Sequence, residues 1–179
     1  MKEFVGAAAV LRFKSQPTEE TFIDVVQILT PRMLRYFRAL GADSAQAEDL
    51  LQDVLVAIFR GIQSLRDPTL FWPWGYKIAR NAYLQHLRKS STTMQTIPIE
   101  EVVLFTKTAD PWQHGSFAVW MQWLDSAEQD VLILRFVEDM EYHEIAEALS
   151  IPIGTVKWRL FQAKKKLLKY LSKRQDKNL

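Results

Sequence analysis

Apolar residues recur at helical spacing along most of this chain, and the alternating pattern of β-strands is scarce. From Thr18 to Leu40 they fall three and four residues apart, which is typical of one buried face of an α-helix. We expect Pro31 to interrupt or kink this helix and Gly41 to end it. Because later segments keep the same spacing, the sequence predicts an all-α protein.

Two further helices are expected in the first half of the chain. One follows a plausible cap at Ser44 and has an apolar stripe made of Ala47, Leu50, Leu51, Val54, Leu55 and Ile58. After a turn at RDPTL, the next helix resumes beyond Pro73. Its predicted apolar stripe includes Trp74, Ile78, Tyr83 and Leu87.

The segment 91–117 breaks this regularity. It is rich in Ser and Thr, contains two prolines and has no clear period. A connection of this length is longer than most loops inside a compact domain. A second helical block follows, beginning with a capping signal at Ser126 and Gln129. The sequence therefore predicts two small helical domains, 1–90 and 118–179, joined by a flexible linker at 91–117.

The segment YHEIAEALSIPIGTVKWRL has the anatomy of a helix-turn-helix. Its first helix carries the small residue Ala146 where two helices approach, and Pro152 stands where a helix can begin. At about 100° per residue, one arc of the second helix is apolar. It contains Ile153, Val156, Leu160, Ala163 and Leu167.

The opposite side of this second helix mixes hydroxyl, aromatic, amide and cationic groups. It contains Thr155, Trp158, Gln162, Lys165 and Lys169, with Lys157 and Phe161 on the flank. Such a strip suits a DNA major groove, where early residues contact base edges and later lysines contact phosphates. The alternatives are a solvated surface helix, a protein contact, or packing of Trp158 against a neighbouring segment.

Charge is segregated along the chain, although the net charge is only +2. Segment 41–59 has four acids and no Lys or Arg, and segment 60–89 has six bases and one acid. Segment 122–149 has eight acids and one base, and segment 157–177 has nine bases and one acid. Two basic helices suggest two contacts with a polyanion such as nucleic acid. The acidic segments suggest basic protein partners or solvated faces.

Composition excludes several classes of protein. Without cysteine the chain has neither disulfides nor thiolate metal sites, and its three distant histidines predict no zinc site. We expect no cofactor and no enzymatic activity, because no phosphate loop, activated nucleophile or metal cluster is evident. No apolar run is long enough to span a membrane, and no signal peptide is evident. We therefore expect a cytoplasmic protein without membrane insertion.

Both halves together resemble the sigma-70 family of transcription initiation factors, in its extracytoplasmic-function group. TPRMLRYFRALGADSAQAEDLLQDVLVAIFRGI is similar to the family's polymerase-binding helices, and FWPWGYKIARNAYLQHLRK to its pattern of Phe, Trp, Tyr, basic, Ile, Ala, Arg, Asn. LDSAEQDVLILRFVEDMEYHEIAEALSIPIGTVKWRLFQAKKKL resembles its C-terminal promoter-reading domain. The resemblance covers residues 18–90 and 118–171.

The resemblance implies a sigma factor with three sets of contacts. The N-terminal domain would bind core RNA polymerase, at its β′ clamp helices, through Asp49, Gln52 and Asp53. It would hold the single-stranded −10 element through Lys77, Arg80, Asn81 and Arg88. The C-terminal domain would read the −35 duplex through Thr155, Lys157, Trp158, Arg159, Phe161, Gln162 and Lys165. The β flap of polymerase and an anti-sigma factor are further implied partners.

Some residues depart from the family pattern. Pro73 and Gly75 flank Trp74 where relatives have ordinary helix formers, so we expect a reshaped helix entry there. Ser150 stands where the turn often has glycine, and Trp158 replaces a small residue. Two other functions stay open: a LuxR-type helix-turn-helix regulator that binds duplex DNA alone, and a sigma-like decoy that binds only an anti-sigma protein.

Overall fold

The computed structural model describes residues 2–93 and 120–175, with side chains placed for 6–89 and 120–170. Every regular element in these ranges is helical. The N-terminal block contains α1 (Lys2–Ser15), α2 (Glu19–Ala39), α3 (Ser44–Gly61) and α4 (Phe71–Thr93), with short 3-10 turns at Ile62–Ser64 and Pro68–Leu70. The C-terminal block contains α5 (Ser126–Phe136), α6 (Tyr142–Leu149) and α7 (Ile153–Gln175). The all-α prediction is confirmed.

Helix α2 runs without a break through Pro31, so the predicted interruption is wrong. Proline removes one backbone hydrogen bond and leaves the carbonyl four residues earlier, that of Gln27, without its helical partner. Both Pro31 and Gln27 are exposed, so water can hydrate that carbonyl. The buried side of the helix meanwhile keeps Leu29 and Met33 in the core. Gly41 follows the end of the helix with φ of 96°, as expected for a residue that stops a helix.

Helix α3 buries the predicted apolar stripe, with Leu55 only partly covered. The predicted cap at Ser44 is wrong by one residue. Asp43 is the cap, and its carboxylate accepts a hydrogen bond from the Gln46 backbone at 2.8 Å while the Gln46 side chain returns to the Asp43 amide. An aspartate next to a serine offers two equally good caps, and the sequence alone does not choose between them.

Helix α4 begins at Phe71, although the sequence predicts that it resumes only after Pro73. Pro73 lies in the first turn, where an α-helix has no intrahelical use for the missing N–H, so the helix entry is not broken. The predicted apolar stripe is confirmed only in part, since Trp74, Ile78 and Tyr83 pack against the core without being fully buried. The core side holds Phe71, Trp72, Tyr76 and Ala79, whereas Leu87 is exposed and Trp74, Ile78 and Tyr83 are partly covered.

Helix α1 packs across the surface formed by α2 and α4. Its Gly6 allows a close approach, because a Cβ there would lie 2.7 Å from Trp72 Nε1 and 3.0 Å from Phe71. The Arg32 guanidinium lies over the Trp72 ring at 4.0 Å, which is a favourable cation–π contact. Trp72 is therefore held between α1 and α2, and this contact fixes the start of α4.

The C-terminal block contains the predicted helix-turn-helix, formed by α6 and α7. Ser150 adopts the left-handed conformation (φ 54°), and its amide donates to the carbonyls of Ala146 and Glu147. That is the geometry for which glycine is the usual residue. The cap of α5 is Asp125 with Glu128, so the predicted pair Ser126 and Gln129 is wrong by one position.

The two blocks pack against each other, mainly through α4 against α6 and also through α2 against α5. Their buried apolar side chains form one cluster that spans both blocks. Helix α4 extends to Thr93, and the rest of the predicted linker, 94–117, lies outside the described residues. The domain boundaries stay predictions. Among the described helices, none is long and apolar enough to cross a membrane.

We expect Pro31→Ala to raise the free energy of unfolding by about 1–3 kcal/mol, because an exposed helix interior disfavours proline by about 3 kcal/mol relative to alanine. The gain is smaller than this full amount because alanine also gives the unfolded chain more conformational entropy than proline does. Urea unfolding followed by circular dichroism measures the change. Gln27→Ala, an exposed position one turn earlier, is the control and should change stability by less than about 0.5 kcal/mol. Equal stability of wild type and Pro31→Ala would show that the tertiary fold, not the proline, sets the local geometry.

Candidate polymerase and nucleic-acid interfaces

An acidic face lies on α3. The predicted residues Asp49, Gln52 and Asp53 are all exposed, and their spacing of three and four residues puts them on one stripe of the helix. Val56 lies one turn further along the same stripe and is 48% exposed. Sequence reasoning missed Val56, although its position outside the buried stripe was a usable signal. The face thus combines two carboxylates and an amide with an exposed aliphatic side chain, a mixture suited to a protein partner.

A polar and cationic face lies on α4. Lys77, Asn81 and Arg88 are exposed and follow one another at spacings of four and seven residues, so they share one stripe of the helix. Arg80 lies about 60° around the helix from Lys77. The structure therefore brings together three of the four predicted −10 residues and directs the fourth elsewhere.

Arg80 turns towards the C-terminal block. Its Nε donates to a carboxylate oxygen of Asp130 on α5 at 2.7 Å, and the two side chains are mostly buried. Burial raises the pKa of Asp130 above its usual value, and the charges of Arg80 and Arg159 oppose that rise. Arg80 and Arg159, which were predicted for two separate DNA contacts, therefore both lie near one carboxylate.

A second carboxylate joins the blocks more deeply. Glu138, between α5 and α6, is fully buried and accepts two hydrogen bonds from the Arg35 guanidinium, at 2.9 and 2.7 Å. It accepts a third from the Tyr76 hydroxyl. Burial, and then the charge of Glu138, raise the pKa of Tyr76 well above its usual value, so this tyrosine stays protonated and acts as a donor. A residue of the C-terminal block is thus bound by α2 and α4 together.

The recognition helix α7 presents the predicted outward face. Trp158 and Phe161 are 60% and 62% exposed, and Lys157 and Lys165 are exposed. Thr155, Arg159 and Gln162 are partly covered. Of the predicted apolar arc, Val156 and Ala163 are fully buried and Leu160 and Leu167 are partly covered, whereas Ile153 is exposed. Trp158 does not pack into its own domain.

One ion pair sets the position of α7 on α5. Lys166 Nζ donates to Glu128 at 2.6 Å and lies 3.5 Å from Asp125, the cap of α5. The hydrogen bond to Glu128 is the main reason why the pKa of Lys166 is raised. Trp123 stacks on Tyr170 further along, with ring centroids 4.9 Å apart. These contacts fix the exposed face of the recognition helix relative to the rest of the block.

Sequence reasoning missed the residues that join the two blocks: Arg35, Tyr76, Asp130 and Glu138. The sequence offered only a general signal for these contacts, the opposite charge of two segments. Segment 122–149 has eight acids and one base, whereas segment 60–89 has six bases and one acid. That asymmetry was interpreted as a sign of basic partners or solvated faces. For Asp130 and Glu138, the basic partner is the same chain.

Two family models match the chain in order along the sequence. Residues 24–93 match sigma-70 region 2, which spans most of α2, with α3 and α4. Residues 121–167 match sigma-70 region 4, which spans α5, α6 and most of α7. Together they account for the acidic face, the α4 face and the recognition helix.

Several curated proteins similar to this chain are named RNA polymerase sigma factors. The RNA polymerase sigma factor YlaC of Bacillus subtilis is 30% identical over 138 residues, which are 73% of this chain and 80% of that protein. The ECF RNA polymerase sigma factor SigW of the same organism is 25% identical over 169 residues, with 86% and 90% covered. SigE of Mycolicibacterium smegmatis, also an ECF sigma factor, is 26% identical over 179 residues, with 96% and 69% covered.

Solved structures share the fold. CnrH, in complex with the cytosolic domain of CnrY, superposes with a TM-score of 0.71 at 19% identity, covering 94% of this chain and 97% of CnrH. The sigma factor RpoE of Bartonella quintana, in complex with the anti-sigma factor NepR, gives 0.68 at 21% identity, covering 84% and 96%.

Proposed function

Because the chain belongs to the sigma-70 family and is an extracytoplasmic-function sigma factor, we propose that it binds core RNA polymerase and directs it to promoters with a −35 duplex and a −10 single-stranded element. One observation carries this proposal: the two matched regions present separate exposed faces, acidic on α3, amide and cationic on α4, and aromatic and cationic on α7. The role is binding without catalysis, in the cytoplasm where its polymerase acts.

The α3 face is the proposed polymerase contact. Asp49 and Asp53 are exposed acids one turn apart, and neither forms an ion pair with another described residue. Exposed charges of one sign steer a partner of the opposite sign and set its orientation. Gln52 and Val56 complete a stripe that a pair of basic helices, such as the β′ clamp helices, would cover. The β flap is the proposed partner of the C-terminal block.

The α4 face is the proposed −10 contact. Proteins that bind single strands combine cations along the backbone with groups that hold the bases. Lys77 and Arg88 lie on either side of Asn81 along one stripe, so a strand that follows the two cations would pass over the amide. We assign Asn81 to an extruded base and the two cations to phosphates.

The α7 face is the proposed −35 contact. Trp158 and Phe161 are exposed among lysines, and a large apolar side chain gains from losing water only when a partner covers it. In a major groove that partner is a base edge, a thymine methyl or a sugar. Lys157 and Lys165 would contact phosphates, and Thr155 and Gln162 would contact base edges.

An anti-sigma factor is a further proposed partner. The fold neighbour RpoE is seen with the anti-sigma factor NepR, and the present chain superposes on RpoE with a TM-score of 0.68. Such a partner would cover α7 when the chain is not on polymerase. A decoy that binds only an anti-sigma protein would need neither the α4 stripe nor the polar α7 face.

Reconstituted transcription tests the proposal directly. Purified chain and core RNA polymerase are combined on a library of promoters, and transcription start sites are mapped. We expect start sites that depend on the chain and share one −35 and one −10 sequence. Binding to an anti-sigma protein with neither core-polymerase binding nor dependent start sites would favour the decoy. Sequence-specific duplex binding without any polymerase binding would favour the helix-turn-helix regulator.

We expect Asp49→Lys and Asp53→Lys each to weaken holoenzyme assembly by about tenfold or more, because each places a cation against a basic partner. Glu48→Lys is the matched control, since Glu48 is exposed on the same helix about 100° away from Asp49. Affinity for core polymerase is measured by titration with a fluorescently labelled chain. Equal losses for all three variants would point to net charge rather than to this face.

We expect Asn81→Ala to reduce promoter melting while it leaves the closed complex nearly intact, since an amide that holds an extruded base acts only after strand separation. Permanganate footprinting measures melting, and a mobility shift at low temperature measures the closed complex. Gln63→Ala, an exposed amide in the turn before α4, is the control. Normal melting by Asn81→Ala holoenzyme would overturn the assignment of Asn81.

We expect Trp158→Ala to change the preferred −35 sequence, because loss of one good base contact costs about 1–3 kcal/mol at particular base pairs. Lys165→Ala should instead weaken binding across sequences and reduce its salt dependence. Promoter-library selection at fixed salt compares both variants with wild type, and circular dichroism checks their helices. The same −35 consensus from wild type and a folded Trp158→Ala would identify the tryptophan as a contact for another protein.

A further inference from the structure

Arg80 has two possible partners that compete for the same guanidinium. The resemblance places it among the residues for the −10 strand, yet its guanidinium is bound to Asp130 of the C-terminal block at 2.7 Å. Its neighbours on α4, Lys77 and Asn81, are exposed at the same time. The packing of the blocks thus withdraws one cation from the α4 face and leaves the others accessible.

We propose that the C-terminal block is an internal competitor of −10 DNA: Asp130 occupies the place of a backbone phosphate at Arg80, and Glu138 locks the blocks together through Arg35 and Tyr76. The chain in this form is closed without help from another protein. For the role of Arg80, this inference rests on the proposed function. The lock itself does not.

The lock is built from groups on two helices, α2 and α4, and the turn between α5 and α6. Glu138 is fully buried, and its two oxygens accept both donors of the Arg35 fork and the Tyr76 hydroxyl. Such bidentate pairs fix geometry as well as charge. Because Arg35 lies on α2 and Tyr76 on α4, the C-terminal block cannot move away from either helix without uncovering an unpaired carboxylate.

Asp130 and a DNA phosphate offer Arg80 the same kind of oxygen acceptor. Arginine binds carboxylate and phosphate oxygens with the same planar donors, so Asp130 and a DNA phosphate are equivalent partners for Arg80. Arg159 of the recognition helix also lies close enough to Asp130 to affect its ionisation. One carboxylate is therefore placed between cations of both predicted DNA contacts. DNA at either site would compete with closure.

Closure should lower the apparent affinity for any ligand of the open form. When only a fraction of molecules is binding-competent, the apparent dissociation constant rises by the inverse of that fraction. Breaking the lock should therefore tighten binding of single-stranded DNA by the whole chain. Since released Arg80 would add a phosphate contact, the slope of log affinity against log salt should also steepen by about 0.7 for each cation released.

The test uses the full chain. Because its sequence contains no cysteine, introduced cysteines can be labelled specifically. Cysteines placed at the exposed positions Glu20 on α2 and Lys164 on α7 carry spin labels. Double electron–electron resonance then measures the distance between the two labels, one on each block. The lock is broken by Arg35→Ala and, separately, by the isosteric Glu138→Gln. Arg38→Ala, an exposed arginine one turn along α2 that bonds only to Ser44 in the N-terminal block, is the matched control.

We expect a short, narrow distance in wild type and in Arg38→Ala, and a long, broad distribution in Arg35→Ala and Glu138→Gln. Affinity of the same proteins for a fluorescein-labelled oligothymidylate, followed by anisotropy at low salt, should rise about tenfold or more in the two lock variants. Circular dichroism confirms that their helices are retained.

A broad distribution in wild type, or a short distance in both lock variants, would overturn the lock. Opening of the blocks with no gain in oligothymidylate affinity would overturn the role of Asp130 as a competitor. The distances do not involve polymerase or promoter DNA, so failure of the proposed function in transcription assays would be seen separately from failure of the lock.

Discussion

The carboxylate of Glu138 determines how the two halves of this protein sit together. A fully buried charge needs compensating donors, and Glu138 takes them from Arg35 and Tyr76 in the other block. The bond to Tyr76 places α6 against α4, and the contact with Arg35 ties the same turn to α2. The α4 face and the recognition helix α7 consequently have a defined relation to one another, although they belong to different regions of the sequence.

The elements of the fold could be predicted largely because helical periodicity is a local property. The stripe of α3 was predicted correctly because its apolar residues lie on one side only. The stripe of α4 was predicted only in part, because aromatic residues surround that helix and the packing of Trp72 beneath Arg32 selects the most buried side. Capping positions were missed by one residue at Asp43 and Asp125, since each acid adjoins a serine with the same capping ability.

For the candidate site, too, the features that depend on local periodicity could be predicted and those that depend on tertiary contacts could not. Exposure of Asp49, Asn81 and Trp158 follows from periodicity, and the sequence predicted it. The burial of the Arg80 guanidinium depends on Asp130, which is 50 residues away in the sequence. The hydrogen bonds of the lock join Arg35 and Glu138, which are 103 residues apart in the sequence. Such pairs have no local signature. The alternation of acidic and basic segments was the only trace of them, and it suggested partners outside the chain.

Buried ion pairs contribute little net stability, because the cost of removing two charges from water offsets most of their attraction. Two features of this interface are costs. The Tyr36 hydroxyl is buried with no hydrogen-bond partner among the described residues. Burial also raises the pKa of Asp130 above its ordinary 3.8 despite the hydrogen bond from Arg80. A carboxyl group whose pKa is raised by packing favours that packing below its ordinary pKa and opposes it as the pH rises through the raised value. Ionisation of Asp130 therefore carries a desolvation cost that its hydrogen bond to Arg80 offsets only in part, while Glu138 supplies the geometry of the interface. The ion pairs thus specify how the blocks meet, while the apolar cluster shared by both blocks supplies the net energy that binding to polymerase and DNA must overcome.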